Sequence, residues 1–200
     1  ITKADLVVSG VSGVNKTYDA TTTATLTGSA SVSALQSDVV SVAGTGTGSF
    51  ADANAGTNKN VTVTGYTLTG SDAGNYNLVQ PTSVTASINK ADVTLSGSKV
   101  YDGSTAVAGS TLTATGVAGQ TFTVTGSGDA SNLASKNVQS GSALASTMGL
   151  SLGSSSNGGL SSNYNLLGTS GSSYTLTAKG ITLTGITAAD KAFDGTTAAT

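Results

Sequence analysis

Short alternating runs of apolar and polar residues, bounded by glycine, asparagine and aspartate, recur along the whole chain. The clearest run, residues 61–68, places apolar side chains at positions 61, 63, 66 and 68 and changes phase at Gly65. Alternation with a period of two is typical of a strand with one buried face, and a glycine inside such a run favours a bulge. The pattern predicts an all-β fold with a bulge near Gly65.

Similar runs predict the other strands, with roughly seven in the first ninety or so residues. In this part we expect strands at residues 6–11, 24–28, 39–42, 61–68, 76–79 and 84–88, and a Gly/Thr stretch that ends at residue 50. In the next part we expect strands at residues 93–95, 111–113, 121–125 and 174–177, and residues 163–166 resemble residues 75–78 of the first part. Residues 154–162 are rich in Gly, Ser and Asn, which predicts a longer exposed turn.

One short motif occurs three times: an aromatic residue, an aspartate, a small residue, a hydroxyl residue and a threonine. It begins at Tyr18, Tyr101 and Phe193. The repeats are about ninety residues apart, which is too long for one coil of a solenoid and suits a small β-sandwich. We therefore predict tandem Ig-like β-sandwich repeats at residues 1–89 and 90–178, and the start of a third, incomplete repeat at residues 179–200. A right-handed β-helix is the alternative fold, against which the long period argues.

The joint between the first two repeats is short. Residues 88–93 contain no glycine and no proline, so the last strand of one repeat nearly continues into the first strand of the next. A joint of this kind limits hinge motion, whereas a Gly/Ser linker would coil. We expect a semi-rigid row in which each repeat has its own core, sealed by the motif ring, with two repeats spanning on the order of 80–100 Å. We expect the short third part to hold two strands.

The amino-acid composition excludes most kinds of catalytic site. The chain has no His, Cys, Glu or Arg, and its charged residues are 8 Lys and 10 Asp, for a net charge of −2. A Ser-His-Asp triad, a thiol nucleophile and a His-bearing zinc site cannot be built from these residues. The balance of charge offers no electrostatic hold on nucleic acid, and no apolar run is long enough for a membrane helix. The sequence predicts a protein that is not an enzyme.

The motif and a second tyrosine in each repeat are the candidate site residues. They are Tyr18, Asp19, Tyr76, Tyr101, Asp102, Tyr164, Phe193 and Asp194. The favoured interpretation is structural: the ring plugs the end of a thin sandwich, and the Asp-Gly pair makes a turn. The phenylalanine of the third copy favours packing over a role for the phenol hydroxyl. In the alternative interpretation the rings form a binding face and the aspartates bind a ligand.

No cofactor is expected, with calcium as the one alternative. Asp72 with Asn75, or Asp129 with Asn132, offers oxygen ligands of the type that calcium prefers. Neither pair has the dense spacing of a calcium-binding loop, and turn formation alone explains these residues. The Thr-x-Thr runs, such as 121–125, fit exposed strand faces better than a regular ice-binding lattice.

Several passages resemble the YDG-type repeats of large bacterial surface proteins. They are residues 16–19, 70–78, 99–105 and 191–197, with Ala20 in place of the motif glycine in the first repeat. Such repeats, and the related MBG repeats, occur in filamentous-haemagglutinin-like adhesins and other giant exoproteins. The resemblance covers essentially the whole chain. It implies a stalk of β-sandwich modules that is secreted or displayed on the bacterial cell surface or in biofilm matrix, and it offers no catalytic residues.

We therefore expect a non-catalytic stalk that spaces a distal binding region from the cell. The expected partners are neighbouring repeats of the same chain. One alternative is a module that binds carbohydrate or matrix, which exposed clustered tyrosines would favour and buried tyrosines would disfavour. Another is a filament subunit that polymerises with other copies by strand exchange, since open sheet edges accept strands.

Overall fold

The computed structural model describes residues 1–197 and is built of short strands. Within these residues no helix is longer than a three-residue 3-10 turn. The strands are β1 (Ala4–Val7), β2 (Ser9–Gly13), β3 (Lys16–Thr17), β4 (Thr23–Ala24), β5 (Leu26–Ser31), β6 (Ser41–Phe50), β7 (Gly56–Thr69), β8 (Tyr76–Val79), β9 (Thr85–Asn89), β10 (Thr94–Val100), β11 (Leu112–Thr115), β12 (Thr121–Thr125), β13 (Gln139–Ser142), β14 (Ser151–Ser155) and β15 (Ser173–Thr177). The prediction of an all-β fold is confirmed.

Strands β1 to β9 pair only with one another, and we call residues 1–89 unit 1. Its five-stranded sheet has the order β3-β9-β7-β6-β4, and two further strand pairs are β1-β8 and β2-β5. Pairing is antiparallel except where the early strands β1 and β3 run parallel to the late strands β8 and β9. Mainly antiparallel pairing between strands far apart in sequence is not the arrangement of a β-helix.

Strands β10 to β15 form one six-stranded sheet, and we call residues 90–178 unit 2. The strand order is β13-β15-β10-β11-β12-β14. In this sheet the first strand of the unit, β10, runs parallel to the last, β15. In the described residues no sheet contains strands of both units. Both units therefore pair early strands in parallel with late strands, and each completes its sheets without the other.

The long β6–β7 hairpin contains the expected bulge. The register of the pair shifts between Gly44 and Thr47, opposite Gly65. Gly65 has a φ of 96°, and a Cβ at this position would lie 2.4 Å from the backbone oxygen of Thr45. Only glycine fits so close to the neighbouring strand, and the phase change in the sequence of residues 61–68 marks the place.

The buried core differs from the expectation of separate cores. Its residues form one cluster that runs from unit 1 through the joint into unit 2. The rings of Tyr18 and Tyr164 meet across that joint, so the hydrophobic interiors of the two units are in contact although their sheets are separate. The motif ring of unit 1, Tyr18, is therefore buried by its contact with unit 2.

Several strands escaped the sequence pattern. The stretch 43–50 belongs to the long strand β6, whereas the alternation predicted only residues 39–42. Strands β13 and β14 consist mostly of Ser and Gly and carry no alternating signal. The similar residues 75–78 and 163–166 also differ in structure, because Tyr76 begins β8 whereas Tyr164 makes only a single parallel bridge to Ala91.

The segment after unit 2 has no strand within residues 178–197, so the expectation of two strands there was wrong. Its apolar side chains are exposed, and Phe193 retains 98% of its accessible surface. The aromatic ring of the third motif copy therefore covers no core residues in the described part of the chain. Residues 198–200 of the predicted repeat lie outside the described residues.

Candidate functional site

Each copy of the motif is held by a lysine three residues before the aspartate. Lys16 Nζ lies 2.8 Å from Asp19 Oδ1, and Lys191 Nζ lies 2.8 Å from Asp194 Oδ1. In unit 2, Lys99 Nζ lies 3.1 Å from Asp102 Oδ1. Each lysine also donates to an oxygen farther along the same turn. The lysine and aspartate thus close a compact loop around the motif.

The aspartate also makes the turn itself. The backbone N–H two residues later donates to its carboxylate at 2.9 Å in every copy: from Thr21, Ser104 and Thr196. The residue between is left-handed, with φ of 63° at Ala20, 79° at Gly103 and 76° at Gly195. This is an Asx turn that requires positive φ after the aspartate, which explains the small residue and the frequent glycine at that position.

These bonds favour the ionised carboxylates. The Ser104 N–H, followed by the Lys99 ammonium, lowers the pKa of Asp102. The Lys191 ammonium, followed by the Thr196 N–H, does the same for the pKa of Asp194. For Asp19 partial burial acts to raise the pKa, but the bonds from Lys16 and Thr21 outweigh it and the pKa is lowered. The aspartates act as acceptors that fix the turn.

The ring before the aspartate packs on the neighbouring unit. In unit 1 the Tyr18 ring is buried and meets the Tyr164 ring of unit 2 edge-on, with 5.5 Å between centroids and 80° between planes. Tyr164 in turn meets Phe122 in the same manner at 5.0 Å and 70°. Edge-to-face aromatic pairs of this geometry add stabilisation beyond that of the area they bury.

Gln120 links the two phenol hydroxyls across the joint. Its Nε2 donates to the Tyr18 hydroxyl at 3.0 Å, and its Oε1 accepts from the Tyr164 hydroxyl at 2.7 Å. The Tyr164 hydroxyl also accepts the Val117 N–H at 3.0 Å. Sequence reasoning did not find Gln120, because its loop differs in residue type between the two units.

A second contact ties the units through amides. The buried Asn163 of unit 2 accepts the Ala55 N–H of unit 1 at 2.9 Å and donates to Asn54 Oδ1 at 3.1 Å. Lys59 holds the unit 1 loop in place, since its Nζ bonds Asp52 Oδ1 at 2.5 Å and the Asn54 carbonyl at 2.7 Å. The interface therefore combines an aromatic centre with a hydrogen-bonded edge.

Burial also acts on the Tyr164 hydroxyl at the interface. Desolvation raises the pKa of Tyr164, even though the Val117 N–H acts in the opposite direction. The hydroxyl is therefore protonated and able to donate at neutral pH.

The structure brings only some of the predicted residues together. Tyr18 and Tyr164 meet at the joint, with Asp19 in the adjoining turn. Tyr76 is buried in unit 1 but does not belong to the cluster around Tyr18. Its hydroxyl donates to Asp38 Oδ2 at 2.7 Å, a bond that raises the pKa of Tyr76.

The remaining predicted residues lie at the far end of unit 2 and beyond it. Tyr101 is half-buried there, beside the ion-paired Asp102. Phe193 is exposed, and its neighbour Asp194 pairs with Lys191. The Asx turn therefore forms in all three copies, whereas full burial of the motif ring occurs only where a following unit covers it.

In each of the two candidate calcium turns, side-chain oxygens accept hydrogen bonds from the protein. Asp72 Oδ2 accepts the Val39 N–H at 2.8 Å. Asn132 is fully buried, its Oδ1 accepts the Asp129 and Val107 N–H groups, and its Nδ2 donates to two carbonyls. Within residues 1–197 no cluster of three or more His, Cys, Asp or Glu side chains has the arrangement of a metal site. Turn formation accounts for these residues.

In the part of the chain that the structure describes, no helix is long and apolar enough to cross a bilayer. The comparison with protein-family models matches the YDG domain twice, at residues 2–86 and at residues 84–173. The two matches together cover most of the chain. Neither the curated proteins nor the solved structures contain a match to it.

Proposed function

The chain belongs to the YDG domain family, and we propose that it is a non-catalytic structural stalk region of a bacterial surface adhesin or extracellular fibre. In this role the units space a distal binding region from the cell, and their partners are the neighbouring units of the same chain. We further propose that each unit is an Ig-like sandwich and that the protein is secreted or displayed on the cell surface.

The observation that carries the proposal is the interlocked joint between the units. The buried rings of Tyr18 and Tyr164 are linked by the half-buried amide of Gln120, and the link from β9 to β10 is only four residues long, Lys90 to Val93. A hinge at such a joint would expose the aromatic pair and leave buried hydroxyl and amide groups without partners, which is costly. A spacer needs this resistance to bending.

Burial of the tyrosines supports the stalk over a carbohydrate- or matrix-binding module. Of the four tyrosines that decide between the two, Tyr18, Tyr76 and Tyr164 are buried and Tyr101 is half-buried. Tyrosines that bind sugar or matrix would have to present a ring face to solvent. The proposal therefore assigns the rings to packing and not to recognition.

Small-angle X-ray scattering of the chain in solution tests the stalk. We expect a maximum dimension on the order of 80–100 Å and the profile of a stiff rod. Gln120→Ala should broaden the distance distribution, because it removes the link between the two hydroxyls, whereas Gln36→Ala, at an exposed loop position of unit 1, should not. A native profile that fits only freely jointed units would contradict the proposal, and so would specific binding to a glycan or matrix panel.

A second candidate is polymerisation by strand exchange, and one observation favours it. Ile181, Leu183 and Ile186 follow unit 2 in a strand-like pattern and are all strongly exposed. A chain with such a segment gains by adding it to a sheet edge of another copy. If this occurs, Leu183→Ser combined with Ile186→Ser will abolish multimers in analytical ultracentrifugation; multimers that persist in the double variant would exclude it.

A further inference from the structure

The pairing of the first strand of unit 2 with its last strand determines how the unit responds to tension. The chain enters the unit through the joint at the N-terminal end of β10 and leaves it at the C-terminal end of β15. These two strands are neighbours and run parallel, with Ser96 beside Ser173 and Val100 beside Thr177. The two points at which tension along the chain would act therefore lie at opposite ends of one strand pair.

Parallel pairing decides the direction in which the hydrogen bonds between β10 and β15 are loaded. Tension draws the N-terminal end of β10 one way and the C-terminal end of β15 the other way, so the strands must slide past each other. The bonds of a parallel pair are evenly spaced along it, so they share the load and break together. In an antiparallel pair of first and last strands, both points would lie at one end, and the bonds would open one after another.

Further backbone bonds extend this pairing beyond both strands. After β10, the Tyr101 N–H donates to the Thr177 carbonyl at 2.8 Å. Before β10, the Ala91 N–H donates to the Asn163 carbonyl at 3.0 Å, and the Ala91 carbonyl accepts the Asn165 N–H at 2.8 Å. The bridge at Ala91 is also parallel, so tension that enters through the joint loads it in the same direction as the β10–β15 pair.

The β10–β15 pair lies inside its sheet and not at an edge. On the other side of β15 lies β13, and on the other side of β10 lies β11. The side chains of Leu95 in β10 and of Tyr174 and Leu176 in β15 are at most 1% exposed. Sliding of the two strands would expose these side chains to water, which is unfavourable, in addition to breaking the hydrogen bonds. Hydrogen bonding and apolar burial therefore oppose the same motion.

Unit 1 has the same arrangement in two parts. Strand β1 runs parallel to β8, and strand β3 runs parallel to β9. The Tyr18 N–H donates to the Asn89 carbonyl at 2.8 Å, as the Tyr101 N–H donates to the Thr177 carbonyl in unit 2. Tension that enters unit 1 at β1 and leaves it at β9 again acts on opposite ends of parallel pairs. The load-sharing geometry therefore recurs in both units.

We propose that the units bear load, and that in unit 2 the parallel β10–β15 pair is the part that resists tension along the chain and breaks first under force. That tension acts on the chain rests on the stalk proposed above, whereas the resistance to tension is a property of the fold. Freely jointed units would still transmit tension through each parallel pair. A scattering profile of freely jointed units would therefore contradict the stalk and leave the load-bearing pair untouched.

Single-molecule force spectroscopy of the whole 200-residue chain tests the proposal by changing only the direction of loading. The chain has no cysteine, so a pair of introduced cysteines fixes where the two handles attach. Lys90→Cys with Ala178→Cys loads the β10–β15 pair at opposite ends. Lys90→Cys with Ser170→Cys pulls the N-terminal ends of the two strands apart. All three positions are exposed, so the handles replace no core residue.

We expect the unfolding force at one pulling speed to be at least about twofold higher for handles at residues 90 and 178 than for handles at residues 90 and 170, because the bonds then break together. An increase in contour length of up to about 3.3–3.6 Å for each residue between the handles identifies the event as the unfolding of unit 2. An equal or lower force for handles at residues 90 and 178 would overturn the proposal.

Two leucines of unit 2 separate the effect of this strand pair from that of general stability. Leu176 lies in β15 and Leu133 lies outside the strands, and both are at most 3% exposed. Leu176→Ala and Leu133→Ala should lower the melting temperature to a similar extent, but only Leu176→Ala should lower the unfolding force for handles at residues 90 and 178. Equal losses of force would overturn the assignment to the β10–β15 pair. The comparison of pulling directions uses neither variant, so it decides the question if one of them fails to fold.

Discussion

At the position after the motif aspartate, the backbone is left-handed in all three copies, yet one copy carries alanine. Ala20 has a φ of 63°, where a Cβ is unfavourable by about 1 kcal/mol. The Asx turn of Asp19 and the ion pair to Lys16 hold it there. The motif glycine is thus a requirement of the turn that follows the aspartate, not of a ligand.

Substitution of glycine for alanine at this turn in unit 1, and of alanine for glycine in unit 2, should change the stability of the protein in opposite directions. We expect Ala20→Gly to raise the free energy of unfolding by about 1 kcal/mol and Gly103→Ala to lower it by a similar amount. A Cβ on Gly103 meets no atom within 4 Å, so the effect there is one of backbone conformation alone. Urea denaturation measures both, and equal stability of Gly103→Ala and native protein would contradict the explanation.

The motif aspartates also predict acid sensitivity. The pKa of Asp102 in the folded state lies below its ordinary value near 3.8, so the unfolded chain takes up the proton first as the pH falls. This contribution to stability is complete above about pH 4 and is lost as the pH falls through the lower folded pKa. At pH 6, Asp102→Asn should therefore have a lower melting temperature than the native protein. The difference between the two melting temperatures should disappear near pH 2.

A second aspartate supplies the control for this acid effect. Asp5 lies on β1 and its carboxylate meets the Asn77 amide instead of a lysine. Melting temperatures of native, Asp102→Asn and Asp5→Asn proteins from pH 6 to pH 2 make the comparison. A gap for Asp102→Asn that stays constant with pH would mean that its ionisation does not stabilise the fold.

At the scale of elements, the β6–β7 hairpin depends on close backbone approach at its bulge. Gly65→Ala would place a Cβ against the Thr45 backbone oxygen at a φ of 96°. We expect a loss of about 2–3 kcal/mol in the free energy of unfolding. Gly74→Ala is the matched control, because its Cβ would meet nothing within 4 Å, and it should change stability by less than about 0.5 kcal/mol. Equal effects of the two substitutions would contradict the role of the bulge.

The turn at Asp129 and Asn132 gives an expectation about calcium. Asn132 is buried and its amide already bonds four backbone groups, so it has no free oxygen for an ion. Calorimetry with and without millimolar calcium should give the same melting temperature within about 1 °C, since an ion that binds only the folded state would raise it. A clear upward shift would require a calcium site.

Alternation located the strands that have one apolar face, and it failed elsewhere for a physical reason. Residues 76–79 and 121–125 were predicted with the bounds that the structure has. In β6, β13 and β14 the side chains are mainly Gly, Ser and Thr, and pairing with distant strands creates the strand. Strands formed by such pairing show no alternation of apolar and polar residues in their own sequence, so the pattern does not predict them.

The candidate site could be predicted only in part for a similar reason. The motif sequence indicated a ring and a turn, and both exist. It did not indicate that Tyr18 packs on Tyr164 of the next unit, because that contact joins residues far apart in the chain. Gln120 was missed because the unit 1 loop with the same backbone bond, from the Asp38 N–H to the Leu35 carbonyl, has an aspartate in its place.

At the scale of the molecule, units 1 and 2 move as one rigid body as long as the interface between them stays formed. The cross-joint bonds are those of Gln120 to Tyr18 and of Asn163 to Ala55 and Asn54, around the edge-on aromatic pair. These contacts bury a centre that a bend would expose. The stalk proposal depends on this joint more than on any property of a single unit.

Residual dipolar couplings of backbone amides in the weakly aligned native chain test this claim most directly. Couplings from β1 to β9 and from β10 to β15 are fitted separately. The account predicts that both sets give one common alignment tensor, of equal magnitude and orientation. Two tensors of different magnitude, as independently moving units produce, would contradict it.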